Sequence, residues 1–310
     1  MRYIFISLLF CIPISAFPNE NQHELSACKE FVSKTTTNEQ TNNKSNILFK
    51  KGLLWKIEKN GKTNYIFGTI HSQDYAVTRF PPQVRLALVK SKTLLMETIP
   101  DEASNQVFFD HMYFDNDQVL DDFLEPELLE ELKFQIQNYG FQAEQVSHMK
   151  PWAAFSIIGR PKPVRAPTQE MVLMQIALQS MAEVKELESM EEIVMSLDEL
   201  SLDDQVIILK DTICNHDNII RDAKKLIDLY VARDLAGIVE FNNQPHYDEE
   251  IFQRFMYQIL YKRNEKVMQN IEEEFAKGKA FVAIGASHLA DENGLLNKLK
   301  LQGYQITAIY

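Results

Sequence analysis

"GLLWKIEKNGKTNYIFGTIHS" (Gly52–Ser72) is the stretch on which the fold turns. Apolar and polar residues alternate on both sides of Asn60-Gly61, a pair that tolerates positive φ at both central positions of a two-residue turn, so the segment reads as a β-hairpin. Its second arm runs apolar from Tyr65 to Phe67, breaks at Gly68 and presents His71 three positions later. Near the other end, "FVAIGASHL" (Phe281–Leu289) repeats the arrangement around Gly285 and His288. Ten glycines and seven histidines scattered over 310 residues would give about 0.2 Gly-x-x-His matches. Two matches, each after a strand-like run, make a shared task worth seeking.

The intervening chain alternates between the two periodicities. "PPQVRLALVKS" begins with prolines suited to a helix start, and "TLLMET" (Thr93–Thr98) reads as a short buried strand ending at Glu97. From Asp101 to about Pro167 the pattern is mostly helical, with "EPELLEELKFQIQNYG" closed by Gly140. Prolines 161, 163 and 167 make "GRPKPVRAPTQ" a loop, followed by the helix "EMVLMQIALQSM" and a strand, "VKELES", ending at Glu188. Two or three helices fill Met190–Arg233, and Ile251–Ala276 is the longest helical pattern. "AFVAIG" returns to strand, before a last helix (Gly294–Leu301) and a terminal strand, "YQITAIY". Strands thus frame a large helical middle, and the fold class expected is α/β with a mixed central sheet flanked by helices.

Composition narrows the function. An apolar content of 45% and charged content of 25% suit a folded domain, while a net charge of −12 without a basic stripe excludes a nucleic-acid partner. Residues 1–16, "MRYIFISLLFCIPISA", carry Arg2, an apolar run from Tyr3 to Ile14 and a small residue at Ala16, the pattern of a signal peptide. The run is too short to span a bilayer, and bulky Phe10 before Cys11 disfavours lipidation, so export to the periplasm or extracellular space without a stable membrane span is expected. Residues 17–46 form a polar, flexible segment, of which Ser33–Asn46 is the most apolar-poor part, and the folded domain is expected over 47–310. Cys28 and Cys214 remain after cleavage; they either pair or stay as two thiols.

The familiar catalytic signatures, His-Glu-x-x-His, Gly-x-Ser-x-Gly, the Walker loop and the dinucleotide glycine fingerprint, are missing. Position supplies the alternative. Ligands of open α/β sheets bind at the carboxyl ends of strands, and His71, Glu97, Glu188 and His288 each fall at or just beyond one. If those strands are parallel neighbours, the four side chains meet on one rim. Two imidazoles and a carboxylate suffice to hold a divalent metal with a position left open for water, and Gly68 and Gly285 would let the backbone turn or approach closely. His23, His111, His148, His216 and His246 have no partner spacing, and the methionines at helical spacing read as core.

The quoted Gly52–Ser72 stretch, "LLMET", "KPWAA" (Lys150–Ala154), "ELES", "LYKRNEKVMQNIEEEFAKGKAFVAIGASHL" and "GLLNKLKLQGYQI" resemble successive blocks of the TraB/PrgY/GumN family, which includes the animal TIKI proteins. The resemblance covers about Gly52 to Tyr310 and implies a fold related to the erythromycin-esterase and ChaN-like proteins. It implies His71 and His288 as metal ligands, with Glu97 as third ligand or general base. It also implies that Arg263 and Asn264 correspond to an Arg-Asn pair that precedes the second motif, Arg263 holding a carboxylate or stabilising an oxyanion. Glu188 matches a glutamate of the family's "LE" block, and Trp152 belongs to a packing block. Two positions depart from the pattern: Asp291 stands where the family usually has Gly, and Glu170 where it has "LD", both retaining acidic character.

The function expected is therefore an exported metal-dependent hydrolase, a peptidase by analogy with the animal relatives, using Zn, Mn or Co and acting on a peptide or protein. The competing readings are a peptide- or signal-binding protein without catalysis, and a haem- or metal-binding protein using the same histidines. Oligomeric state is open.

Overall fold

The computed structural model describes residues 25–31, 47–244 and 247–310. The expected signal peptide, the Ser33–Asn46 stretch, His23 and His246 lie outside the described residues.

The hairpin forms as the alternation dictates. Strands β1 (Leu54–Lys59) and β2 (Lys62–Thr69) pair antiparallel, and Asn60 and Gly61 take φ of 51° and 72°, the left-handed values that a tight hairpin turn requires. Four further strands complete the sheet: β3 (Thr93–Met96), β4 (Glu183–Glu186), β5 (Ala280–Gly285) and β6 (Gln305–Ala308). Their order is β4-β3-β5-β2-β1-β6, with β4, β3, β5 and β2 parallel and β1 and β6 antiparallel to their neighbours. The sheet is mixed and helix-flanked, as expected. The two strands that lead into the Gly-x-x-His motifs, β2 and β5, lie side by side at its centre, where β5 is buried along its whole length. Continuous burial explains why "AFVAIG" lacks alternation, since a central parallel strand is covered on both faces. Asn64 locks this centre by donating to the Phe275 carbonyl (3.1 Å) and accepting from the Ala280 amide (3.0 Å).

Two hydrophobic cores share the chain. One surrounds the sheet; the other lies in the helical middle, where Trp152 packs edge-on against Phe108 and donates Nε1–H to Asp198 (2.8 Å). Trp152 is therefore a packing residue, as expected. Helices Met190–Asp198, Leu202–Cys214 and His216–Val231 account for the Met190–Arg233 stretch. The helix "EPELLEELKFQI" ends through a short 3-10 turn at Gly140, whose φ of 90° suits glycine alone at low cost.

Three expectations need amending. Strand β4 stops at Glu186, so Glu188 lies two residues beyond it. The Ile251–Ala276 pattern is not one regular helix but Glu249–Met256 and Lys262–Lys277 joined by a π-helical turn at Tyr257–Tyr261. Residues 25–31, inside the span read as flexible, form a helical turn held by a Cys28–Cys214 disulfide with Cα atoms 5.3 Å apart. Ser26 also donates to the Glu127 carboxylate, and Phe31 stacks on Tyr247. Polar composition gave no sign of these long-range partners. Among the described residues, no helix is long and apolar enough to cross a membrane.

Asp211 is buried in the helical core, where burial pushes its carboxyl up to about 7 against one stabilising hydrogen bond from Asn215 Nδ2 (2.8 Å). Between pH 4 and 7 the folded state keeps a proton that the unfolded chain, with a carboxyl pKa near 3.9, releases. This group's contribution therefore falls as pH rises through that window. Asp211→Asn should match wild type near pH 4 and exceed its stability at pH 8 by on the order of 2–4 kcal/mol. Urea denaturation at the two pH values measures the difference, and equal midpoints at pH 8 would refute it.

Candidate active site

Because β4, β3, β5 and β2 run parallel, their carboxyl ends open on one edge of the sheet. That edge gathers His71, Glu97, Glu188 and His288, as their positions in the sequence predict. Strands β2 and β5 are immediate neighbours, with Gly68 opposite Ile284 and Thr69 opposite Gly285, so the two Gly-x-x-His motifs are in adjacent register. Neither glycine has a positive φ. The reason for Gly68 is proximity: a Cβ there would lie 2.8 Å from the Leu289 side chain and 3.2 Å from Ala286. One motif packs directly on the other.

Each histidine is aimed by its own support. His288, fully buried on the short turn after β5, meets Asn264 Oδ1 through Nδ1 at 2.6 Å. Asn264 Nδ2 lies near the carbonyls of His288 (3.5 Å) and Asn293 (3.3 Å), so its oxygen faces the ring and the ring's proton sits on Nδ1. Nε2, which then carries a lone pair, is buried without a hydrogen-bond partner. Burial pushes this imidazole down to about 3, keeping it neutral. His71 instead places Nδ1 2.9 Å from Glu170 Oε1 and Nε2 3.9 Å from Glu97 Oε2. Burial lowers its pKa, but the Glu170 carboxylate and then Glu97 outweigh that effect and the net direction is upward.

The carboxylates are governed by Arg263. Its guanidinium, 3% exposed, donates Nη2–H to Glu97 Oε1 (2.5 Å) and to Glu188 Oε2 (2.8 Å), Nε–H to Glu188, and Nη1–H to the Ile259 carbonyl (3.0 Å). Burial alone would raise the Glu97 pKa; Arg263, with lesser help from the two imidazoles, brings it below the usual range. Glu188 is shifted upward by burial, which Arg263 only partly offsets. Glu97 Oε2 has no hydrogen-bond partner and belongs to the His71 side of the cluster. Of the two roles implied for Arg263, holding a carboxylate matches these contacts. Asn264 is a positioning residue for His288.

A cavity of about 1160 Å³ opens onto the two histidines. Glu97, Glu188, Arg263 and Asn264 are buried and do not line it. Helix residues Ile259, Leu260, Leu226 and Ile227 give it an apolar wall, and the loop 159–167 forms another side. Residues 53–308 match the sequence model of the TraB/PrgY/gumN family. The chain belongs to that family. No curated protein and no solved structure matches it. For this TraB/PrgY/gumN member, the resemblance drawn from the quoted blocks is thereby shown, though the family description names no reaction.

The donor chemistry suits a divalent ion that takes imidazole nitrogen and carboxylate oxygen: His288 Nε2 and Glu97 Oε2 are buried without partners, and both Nδ1 atoms are oriented by acceptors, as in ligating histidines. Among the described residues, however, no group of three or more His, Cys, Asp or Glu side chains meets the spacing of a metal site. Asp291 does not extend the set. Its Oδ1 accepts from the Asn293 amide (2.8 Å) and its carboxyl meets Tyr261, so the family's glycine is replaced by a loop-capping acid. His111 and His216 pair elsewhere, with the Val107 carbonyl and the Tyr139 hydroxyl, and neither they nor His148 line the cavity.

Gln169 and Tyr230 are positions to which the sequence assigns no role, and Glu170 figures there only as an acidic departure from the family pattern. Gln169 Oε1 accepts from the Ile70 amide (2.9 Å), its Nε2 donates to the Tyr230 hydroxyl (2.9 Å), and that hydroxyl donates to the Gly68 carbonyl (2.8 Å). Together they fix the backbone that delivers His71. The signal for Gln169 and Glu170 was a polar pair opening a helix after a proline-rich loop; Tyr230 gave none.

Replacing Arg263 by Met leaves Glu97 and Glu188 buried without a counter-charge. The variant should lose about 3–5 kcal/mol of stability, read as a lowered denaturant midpoint. An unchanged midpoint would mean that the carboxylates do not need the guanidinium.

Proposed function

We propose that this protein is an exported metal-dependent hydrolase of amide bonds, with peptides as its substrates. The observation that carries the reading is the convergence of His288 Nε2, Glu97 Oε2 and His71 on one sheet edge, where the two histidines line a mostly apolar cavity and Glu97 lies buried behind them. His71, His288 and Glu97 would hold the ion, which when bound would supply Lewis acidity toward a carbonyl and toward water. The chain's own residues prepare that chemistry. Asn264 and Glu170 hold the imidazole Nδ1 edges, and Arg263 keeps Glu97 ionised and turned toward the histidines. An ion needs the unprotonated imidazole, so the upward shift of His71 by Glu170 and Glu97 sets proton and ion in competition at this nitrogen. If Glu97 is not itself a ligand, its Oε2 is the atom that takes and returns the proton of the attacking water. The buried guanidinium faces carboxylates, so the oxyanion stabiliser sought at the sequence level is not Arg263 in this arrangement.

Export is supported by the leader-like first sixteen residues and by the Cys28–Cys214 bond, which an oxidising compartment maintains. Peptide capture without cleavage is the second reading, favoured by the absence of a preassembled three-residue metal set among the described residues.

Glu97→Gln separates the two. Glu188 still balances Arg263 in this variant, so the fold should persist with most of the bound metal. Hydrolysis of a peptide library, followed by mass spectrometry, should fall at least about 100-fold, in the range of a lost acid-base group. Elemental analysis of protein purified without chelator gives the metal content in parallel. Turnover unchanged by Glu97→Gln would overturn the mechanism, and metal-free wild type that still binds peptides would favour capture.

A further inference from the structure

The cavity carries a charge pattern opposite to that of the whole chain. The protein has a net charge of −12, yet among the described residues the cavity lining includes Arg160, Lys162 and Arg165 and only one carboxylate, Asp74. Asp74 is already engaged in capping the Ala76 amide (2.8 Å), and Lys162 donates to Asn138 Oδ1 (2.9 Å). Arg160 differs from both. Its Nε is buried without a hydrogen-bond partner, and among the described residues no carboxylate pairs with it; the neighbouring Tyr139 is a neutral phenol. Burial pushes its pKa down only to about 10, so it remains a cation at neutral pH. A half-buried guanidinium whose Nε lacks a partner, with no counter-ion among the described residues, is completed by an anion, and its planar donor edge matches a carboxylate.

The loop that holds Arg160 is stiff. Pro161, Pro163 and Pro167 restrict it, Gln73 ties it down through the Val164 amide and the Val164 and Ala166 carbonyls, and Tyr139 donates to the Arg160 carbonyl (2.6 Å). The backbone that delivers Arg160 to the cavity is thus held in place. The wall formed by Leu226, Ile227, Ile259 and Leu260 offers apolar surface to the rest of a ligand. A volume of about 1160 Å³ exceeds the roughly 300–1,000 Å³ typical of single small-ligand pockets, leaving room for several residues.

We propose that Arg160 binds the free α-carboxylate of a peptide whose apolar C-terminal residues lie along the Leu226–Leu260 wall, making the site selective for peptide C-termini. The assignment rests on reading the cavity as a peptide site, not on cleavage. It names Arg160 as a specificity residue that the paired motifs do not include.

The test uses the full chain and a matched pair of ligands, acetyl-Leu-Leu-Phe with a free carboxylate and the same peptide as its C-terminal amide, titrated calorimetrically at pH 7. Wild type should bind the acid about 10–100-fold more tightly than the amide, the range expected for a charge-assisted hydrogen-bonded pair. Arg160→Gln should erase that preference by weakening the acid alone, and Arg160→Lys should restore part of it. Equal affinities in wild type, no binding of either form, or a preference that survives Arg160→Gln would overturn the proposal. Dodecanoate binding more tightly than the acid peptide would overturn the peptide assignment as well. The acid/amide comparison in wild type needs no variant to fold. Tight acid-selective binding without cleavage would remove the hydrolase reading and leave this one, whereas equal cleavage of acid and amide would do the reverse.

Discussion

Burial of Arg263 between Glu97 and Glu188 is the constraint around which the site is arranged. A guanidinium removed from water is costly, and so is each carboxylate; the three persist together because each charge is hydrogen-bonded to an opposite one. One cation against two anions leaves a net negative charge. That excess falls on the side of Glu97 that faces the histidines, because Oε1 is taken by Arg263 and Oε2 is not. The rim therefore presents a held carboxylate oxygen beside two imidazoles, an arrangement that attracts a cation.

Two helix starts do the positioning. Gln169 and Glu170 open the helix Gln169–Gln179; the first holds the backbone at Ile70 and the second holds the His71 ring. Arg263 and Asn264 lie in the first turn of Lys262–Lys277; the first holds the carboxylates and the second holds the His288 ring. In each case neighbouring residues on a helix serve two different parts of the rim. The pairs are unlike in charge, and the consequences differ. A carboxylate behind His71 outweighs its burial, while behind His288 stands a neutral amide and burial outweighs the pull of Glu97, so the two imidazoles are shifted in opposite directions.

The fold and the rim were legible in the sequence for the same reason. Hairpin alternation around Asn60-Gly61, the unbroken apolar run of β5 and the polar residues just past the strand ends are local patterns, and strand ends converge by topology once the strands are parallel. What stayed hidden depends on contacts between distant segments. The close packing of Gly68 on Ala286 looks like a turn signal when only one strand is in view. The pairing of Cys28 with Cys214 spans 186 residues, and the polar composition around Cys28 argues for mobility until Phe31 and Ser26 find their partners. Arg160 was read only as part of a proline-punctuated loop, because the emptiness around its Nε has no signature in one dimension.

The π-helical turn at Tyr257–Tyr261 joins the cavity to the charge cluster. Within this turn the Ile259 carbonyl accepts from Arg263 Nη1 while the Ile259 and Leu260 side chains form cavity wall. A regular helix has one residue fewer per such turn, so removing the widening would rotate Arg263 and Asn264 by about 100° relative to the Ile259–Leu260 wall. The same backbone irregularity thus orients the guanidinium that sets Glu97 and shapes the surface that a ligand touches. Periodicity reads straight through it, since a single inserted residue barely disturbs an amphipathic pattern over twenty-six positions. The interruption sits where wall and charge must be set together, and that coincidence ties the cavity to the rim as one site.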